Sequence, residues 1–195
     1  MPGAKADSLR AFVALDLDAV SVRRVARVAD RLRMGSGAPS ASWTPAAKIH
    51  VTVKFLGDVA RGAVDPLSVA IGRLATDKKA PRPGTFHLDA FPSVDAARIV
   101  VALLEDPHGD LAKLAGRLDK LAVKFGVAPE KKDFRPHVTL ARLKMPFDVR
   151  RWLRPELAPG TDACAAARLT LFESRLDDQG STYTALATFA YAPPT

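Results

Sequence analysis

Two triplets, His50-Val51-Thr52 and His137-Val138-Thr139, each lie inside a short apolar run: Ile49 to Gly57 for the first and Pro136 to Arg142 for the second. Side chains alternate faces along a strand, so His and Thr two apart point one way while the valine between them points the other. Each run is therefore expected to be a strand with one face in a core and one face carrying polar chemistry. The two histidines are 87 positions apart, too far for one local motif. A fold that joins them gathers two imidazoles and two hydroxyls in a single cleft.

That set suits displacement at the phosphorus of a phosphodiester. One side of the phosphate needs a base to activate the nucleophile, and the other needs an acid to protonate the leaving oxygen. Imidazole, with an ordinary pKa near ~6.5, serves either role close to neutral pH. Threonine hydroxyls donate to the non-bridging oxygens. No metal or other cofactor is required. A zinc centre is short of ligands, because each histidine is accompanied by Thr rather than Cys, Asp or Glu. The competing structural reading is that both are strand histidines bonded to a neighbouring Thr.

Other chemistries lack their residues. There is no Gly-x-Ser-x-Gly turn, and the single cysteine, Cys164, has no histidine near it in sequence. There is no Gly-x-x-x-x-Gly-Lys phosphate loop either. His87 and His108 read as structural or solvated. One cysteine allows no intrachain disulfide, and no apolar run reaches the length of a membrane span. A polar start followed by Asp16 and Asp18 does not resemble a leader. A cytoplasmic monomer without membrane contact is the expectation. The net charge of +8 favours a polyanionic partner such as nucleic acid.

Along the chain, Leu9–Leu17 reads as a strand with Ala11, Val13, Leu15 and Leu17 on one face. Ser21 reads as the cap of a helix with Val22, Val25, Ala29 and Leu32 inward. Residues 35–42 read as a loop. Asp65-Pro66 and Asp106-Pro107 both read as helix starts, the first with Leu67, Ile71 and Leu74 inward. The second leads to Leu111, Leu114, Leu118, Leu121 and Phe125 and closes at Gly126. Residues 86–91 and 98–105 form two strands, as do 169–176 and 182–191, the last pair turning at Asp177 to Gly180. Hairpins of this kind make the sheets antiparallel and the class α+β. A helix that follows another strand precedes each histidine strand, which gives the halves a rough internal symmetry. Lys54 shares parity with His50 and Thr52 and reads equally well as a solvated charge at the cleft edge.

The runs His50–Gly57 and Phe134–Arg142 resemble the two signature strands of the two-histidine (2H) phosphoesterases, in particular the RNA 2′,3′-cyclic phosphodiesterases also called 2′-5′ RNA ligases. Leu9–Leu17 is similar to that family's first strand, and Leu171 to Tyr183 to its closing hairpin. The resemblance implies one bilobal α+β domain over residues 1–195, with flexible ends at 1–8 and 193–195. Two mostly antiparallel sheets would face a central cleft, with helices outside. It also implies that His50 is the proton donor to the departing ribose O3′ and His137 the proton acceptor from water, leaving a 2′-phosphomonoester on an RNA end. Residue type by itself leaves the two roles interchangeable. Thr52 and Thr139 complete the implied centre, Arg142 would contact the phosphate and Phe55 would stack on the base. Simple alternation puts Phe55 and Arg142, five residues past each histidine, on the wrong face; a bulge would return them. Reversible 2′-5′ end joining, hydrolysis of a small cyclic nucleotide and RNA binding without catalysis are the alternatives.

Overall fold

A computed structural model describes residues 7–35, 41–76, 79–154, 162–177 and 180–191. Among the described residues eight strands make up two sheets. The first has the order β3-β1-β7-β8, from Val51–Ala60, Ser8–Leu17, Ala166–Asp177 and Gly180–Ala190. The second has the order β2-β6-β5-β4, from Ala41–Trp43, His137–Phe147, Ala97–Leu104 and Phe86–Phe91. Every strand pairing in both is antiparallel, as the α+β reading expects. The two histidine strands are β3 and β6, one in each sheet, and their Cα atoms approach within 8 Å. That approach is what turns two distant triplets into one locus.

The helices α1 (Ala19–Gly35), α2 (Arg61–Thr76) and α3 (Asp110–Val123) cover the sheets. Helix α1 leaves the first sheet yet lies against β6 of the second, and α3 leaves the second sheet yet lies against β3 of the first. Each histidine strand is thus backed by the helix that follows a strand of the opposite sheet. Val25, Ala29 and Leu32 of α1 and Leu111, Leu114 and Leu118 of α3 are buried there, following the period read from the sequence, while Val22 is half-buried and Val28 is buried in addition. Helix α2 reaches β8, where a Cβ on Gly72 would come within 2.6 Å of the Phe189 ring. Glycine is what allows that approach.

The helix starts differ from expectation in an instructive way. Asp18, not Ser21, caps α1: its carboxylate accepts the Ser21 N–H at 2.8 Å. Ser21 is instead fully buried, and its hydroxyl accepts the Ala165 N–H at 3.0 Å. Helix α2 begins four residues before Asp65, running straight on from β3 and leaving Pro66 inside the helix. For α3 the Asp106 carboxylate does accept two helical N–H groups, of Leu111 at 3.1 Å and Ala112 at 2.9 Å. The helix itself starts at Asp110, because Gly109 takes a left-handed φ of 66° and interrupts the path from Pro107.

Ala41 and Ser42, read as loop, pair with β6 as strand β2; residues 36–40 of that loop lie outside the described residues. So do residues 178 and 179 of the final turn. The ends expected to be flexible also lie outside, except Asp7 and Ser8, and Ser8 opens β1.

Candidate active site

Both histidines are oriented by the same device. His50 stands one residue before β3, and its Nδ1–H donates to the Lys48 carbonyl at 2.8 Å. His137 opens β6, and its Nδ1–H donates to the Arg135 carbonyl at 2.7 Å. A carbonyl only accepts, so each ring carries its proton on Nδ1 when neutral and leaves Nε2 for chemistry. His50 Nε2 lies 3.1 Å from the Thr52 hydroxyl. The motif threonines are half-buried and the valines beside the histidines are buried, as the alternation requires.

Beyond the threonines the alternation breaks, in the same place in both strands. In β3, Val13 pairs with Lys54 and Ala14 with Thr52, so Val53 is an extra residue. In β6, Val100 pairs with Ala141 and Val101 with Thr139, so Leu140 is extra. Each bulge falls three residues after its histidine and buries two successive side chains, Val53 with Lys54 and Leu140 with Ala141. A bulge shifts parity by one, so Phe55 and Arg142 return to the histidine face. Phe55 is 60% exposed, with its ring 6.2 Å from Phe12. The charge of Arg142 acts on both imidazoles, lowering the pKa of His50 and of His137.

Lys54 goes the other way. The bulge turns it from the cleft edge into the interior, where it is only 5% exposed. Its Nζ lies 2.6 Å from Asp119 Oδ1 on α3 and donates to the Ala128 carbonyl at 3.2 Å. Asp119 Oδ1 also accepts the Glu130 N–H at 2.9 Å. Lys54 is therefore neither solvated nor in the cleft; it ties the strand of His50 to the segment that leads into His137.

An aromatic wall stands around His50. Its ring centroid is 5.3 Å from Phe12, 5.5 Å edge-on from Tyr183 and 6.2 Å from Phe172. Lys48 Nζ sits 5.9 Å from the Tyr183 ring centroid. Sequence reasoning assigned none of these to the site. Phe12 was legible, because alternation in β1 sets it opposite Ala11 and Val13, but Phe172 and Tyr183 reach His50 only through strand order.

Burial lowers the pKa of His50 most, partly offset by its bond to Lys48 and the charge of Asp16; Arg142 and His137 lower it further. Burial is also the main cause of the lowered pKa of His137, with Arg135 and Arg142 acting in the same direction and the bond to the Arg135 carbonyl opposing. His87 and His108 are exposed. Cys164 is buried, and burial raises its thiol pKa, the opposite of what a nucleophile needs. Among the described residues no group of three or more His, Cys, Asp or Glu could hold a metal, and no described helix is long and apolar enough to cross a membrane.

Comparison with known proteins bears on the fold and the family. The chain is 35% identical over 97 residues to an RNA 2′,3′-cyclic phosphodiesterase of Aeropyrum pernix, covering 49% of this chain and 53% of that one. It is 30% identical over 138 residues to an RNA 2′,3′-cyclic phosphodiesterase of Methanothermobacter thermautotrophicus, covering 71% and 73%. A crystal structure of a Thermus thermophilus protein superposes with TM-score 0.72 at 25% identity, over 94% of this chain and 98% of that one. Escherichia coli LigT complexed with 3′-AMP shares the fold, with TM-score 0.70 at 23% identity over 96% and 100%. The LigT-like phosphoesterase model matches twice, over residues 16–101 and 101–183, and the chain belongs to that family.

Proposed function

We propose that this protein opens RNA 2′,3′-cyclic phosphate ends to 2′-phosphomonoesters, with His50 and His137 as the acid–base pair and no metal ion. The observation that carries the reading is the paired anchoring of the two imidazoles, each held through Nδ1 by the carbonyl two residues before it. In this scheme water attacks phosphorus and gives its proton to His137 Nε2. The P–O3′ bond breaks, and O3′ takes a proton from His50 Nε2. Thr52, Thr139 and Arg142 hold the phosphate oxygens as charge builds on them, and Phe55 stacks on the terminal base. The names of the curated relatives support the substrate class.

The same reading makes the protein a cytoplasmic monomer of one bilobal domain, in keeping with its lone buried thiol. The test is incubation with an oligonucleotide ending in a 2′,3′-cyclic phosphate in the presence of EDTA. A 2′-phosphate product is expected. Activity lost to EDTA and restored by a divalent metal would overturn the mechanism, and a 3′-phosphate product would reverse the bond cleaved.

A further inference from the structure

A second cluster borders the cleft on the His137 side. Arg135 lies with its guanidinium carbon 4.5 Å from the Phe91 ring centroid, and its Nη2 pairs with Asp89 Oδ2 at 2.7 Å. The Phe91 ring in turn meets His137 edge-on at 5.4 Å between centroids. Asp89 is also fixed, since its other carboxylate oxygen accepts the Ala90 N–H at 2.8 Å. An arginine on an open surface samples many rotamers. This one is laid over a ring and pinned at its tip, yet its side chain remains 52% exposed. The result is a flat cation held in place with surface left for a partner, one side chain away from a catalytic imidazole.

Nucleobases stack on aromatic rings and on guanidinium planes, and a guanidinium already held in place loses little freedom when a base lands on it. The aromatic wall of Phe12, Phe55, Phe172 and Tyr183 belongs to the sheet of His50. The Arg135–Phe91 pair belongs to the sheet of His137. A mononucleoside cyclic phosphate has one base and needs one such surface; here one stands beside each histidine, the aromatic wall by His50 and the Arg135–Phe91 pair by His137. We propose that Arg135, laid over Phe91 and clamped by Asp89, receives the base of the penultimate nucleotide, so that the preferred substrate is an oligonucleotide of at least two residues. This rests on the reading of the site as a cyclic phosphodiesterase, with Phe55 taking the terminal base.

Arg135→Lys is the informative change, because it keeps the charge near His137 and leaves the backbone carbonyl in place while removing the plane. With a dinucleotide 2′,3′-cyclic phosphate, KM is expected to rise on the order of tenfold, the range of one lost base stack. With a mononucleoside 2′,3′-cyclic phosphate any change should be smaller and fall alike on both substrates, so that the ratio of dinucleotide KM to mononucleoside KM rises on the order of tenfold. A dinucleotide lacking the penultimate base should bind wild type and variant alike. Asp89→Asn, which slackens the clamp, should give a smaller rise in the same direction.

Equal loss of kcat on both substrates would make Arg135 a support for His137 and overturn the proposal. A loss in Arg135→Ala that Lys restores would make it a phosphate contact, which also overturns base stacking. Calorimetric titration with the dinucleotide ApAp against 3′-AMP reads the subsite without turnover. Tighter binding of ApAp that Arg135→Lys abolishes would uphold the subsite even if no cyclic phosphate were opened, while equal binding of both would sink it.

Discussion

At the scale of single residues the proposed chemistry rests on the two imidazoles. His50→Ala and His137→Ala should each lower turnover of a cyclic phosphate on the order of 10²–10⁴-fold, as loss of a positioned acid or base does. Thr52→Ala and Thr139→Ala should cost less, since each removes one donor among several. Near wild-type turnover in a folded histidine variant would refute the pair. The pH profile is also predicted. Both imidazoles have pKa values below the ordinary 6.5, chiefly through burial, so the kcat/KM bell of the free enzyme should peak on the acid side of that value. A bound anionic phosphate favours imidazolium, so the kcat bell should lie higher. The same shifts bear on folding: the unfolded chain binds more protons on these two groups below its own histidine pKa, so their contribution to stability weakens as pH falls through about 6.5. A kcat/KM that climbs steadily to pH 10 would mean attack by free hydroxide.

At the scale of elements the Lys54–Asp119 link is the one whose loss should reach both halves of the site. It joins β3 to α3 and, through Ala128 and Glu130, to the segment that feeds His137. Lys54→Met should destabilise the fold by about 2 kcal/mol, the scale of lost hydrogen bonds to a charge. Full loss of a buried pair would cost more, but Asp119 is 25% exposed and keeps the Glu130 N–H. Turnover should fall alongside, with kcat affected more than KM. The Lys54 hydrogen bond, then the Glu130 N–H, holds the Asp119 carboxyl below its ordinary pKa. Its stabilising share is present above the unfolded carboxylate pKa near ~3.9 and is lost as pH falls through the folded value. Denaturant unfolding between pH 5 and 2 checks this: Asp119→Asn should flatten the acid limb, and an unchanged limb would remove the link from the account.

At the scale of the whole molecule the surplus of eight positive charges should act on long substrates and not on short ones. Each phosphate neutralised on a single strand adds roughly 0.7 to the slope of log affinity against log salt. KM for a cyclic-phosphate-ended oligomer should therefore rise steeply with salt, while that for a mononucleoside cyclic phosphate changes little. Arg142→Ala should weaken both, because its proposed contact is the reacting phosphate. A shallow slope shared by both substrates would reduce the basic surface to a solubility feature.

Alternation within a strand is local, so the sequence by itself determined the motif residues, the buried valines between them, the α+β class and the acid–base chemistry open to two histidines. The α1 and α3 stripes were legible for the same reason, since a helical period is written in consecutive residues. Helix starts were not, because Asp18, Ser21 and Asp65 all have capping chemistry, and the neighbouring strands decide which one is used. The bulges were decided by pairing: an extra residue in β3 or β6 exists only relative to β1 or β5. On them depend the faces of Phe55, Arg142 and Lys54. The aromatic wall, the Lys54–Asp119 tie and the Arg135–Phe91 surface join residues from elements far apart in the chain. Only the tertiary structure could supply them, because their partners are chosen by strand order and by the crossing of each helix to the opposite sheet.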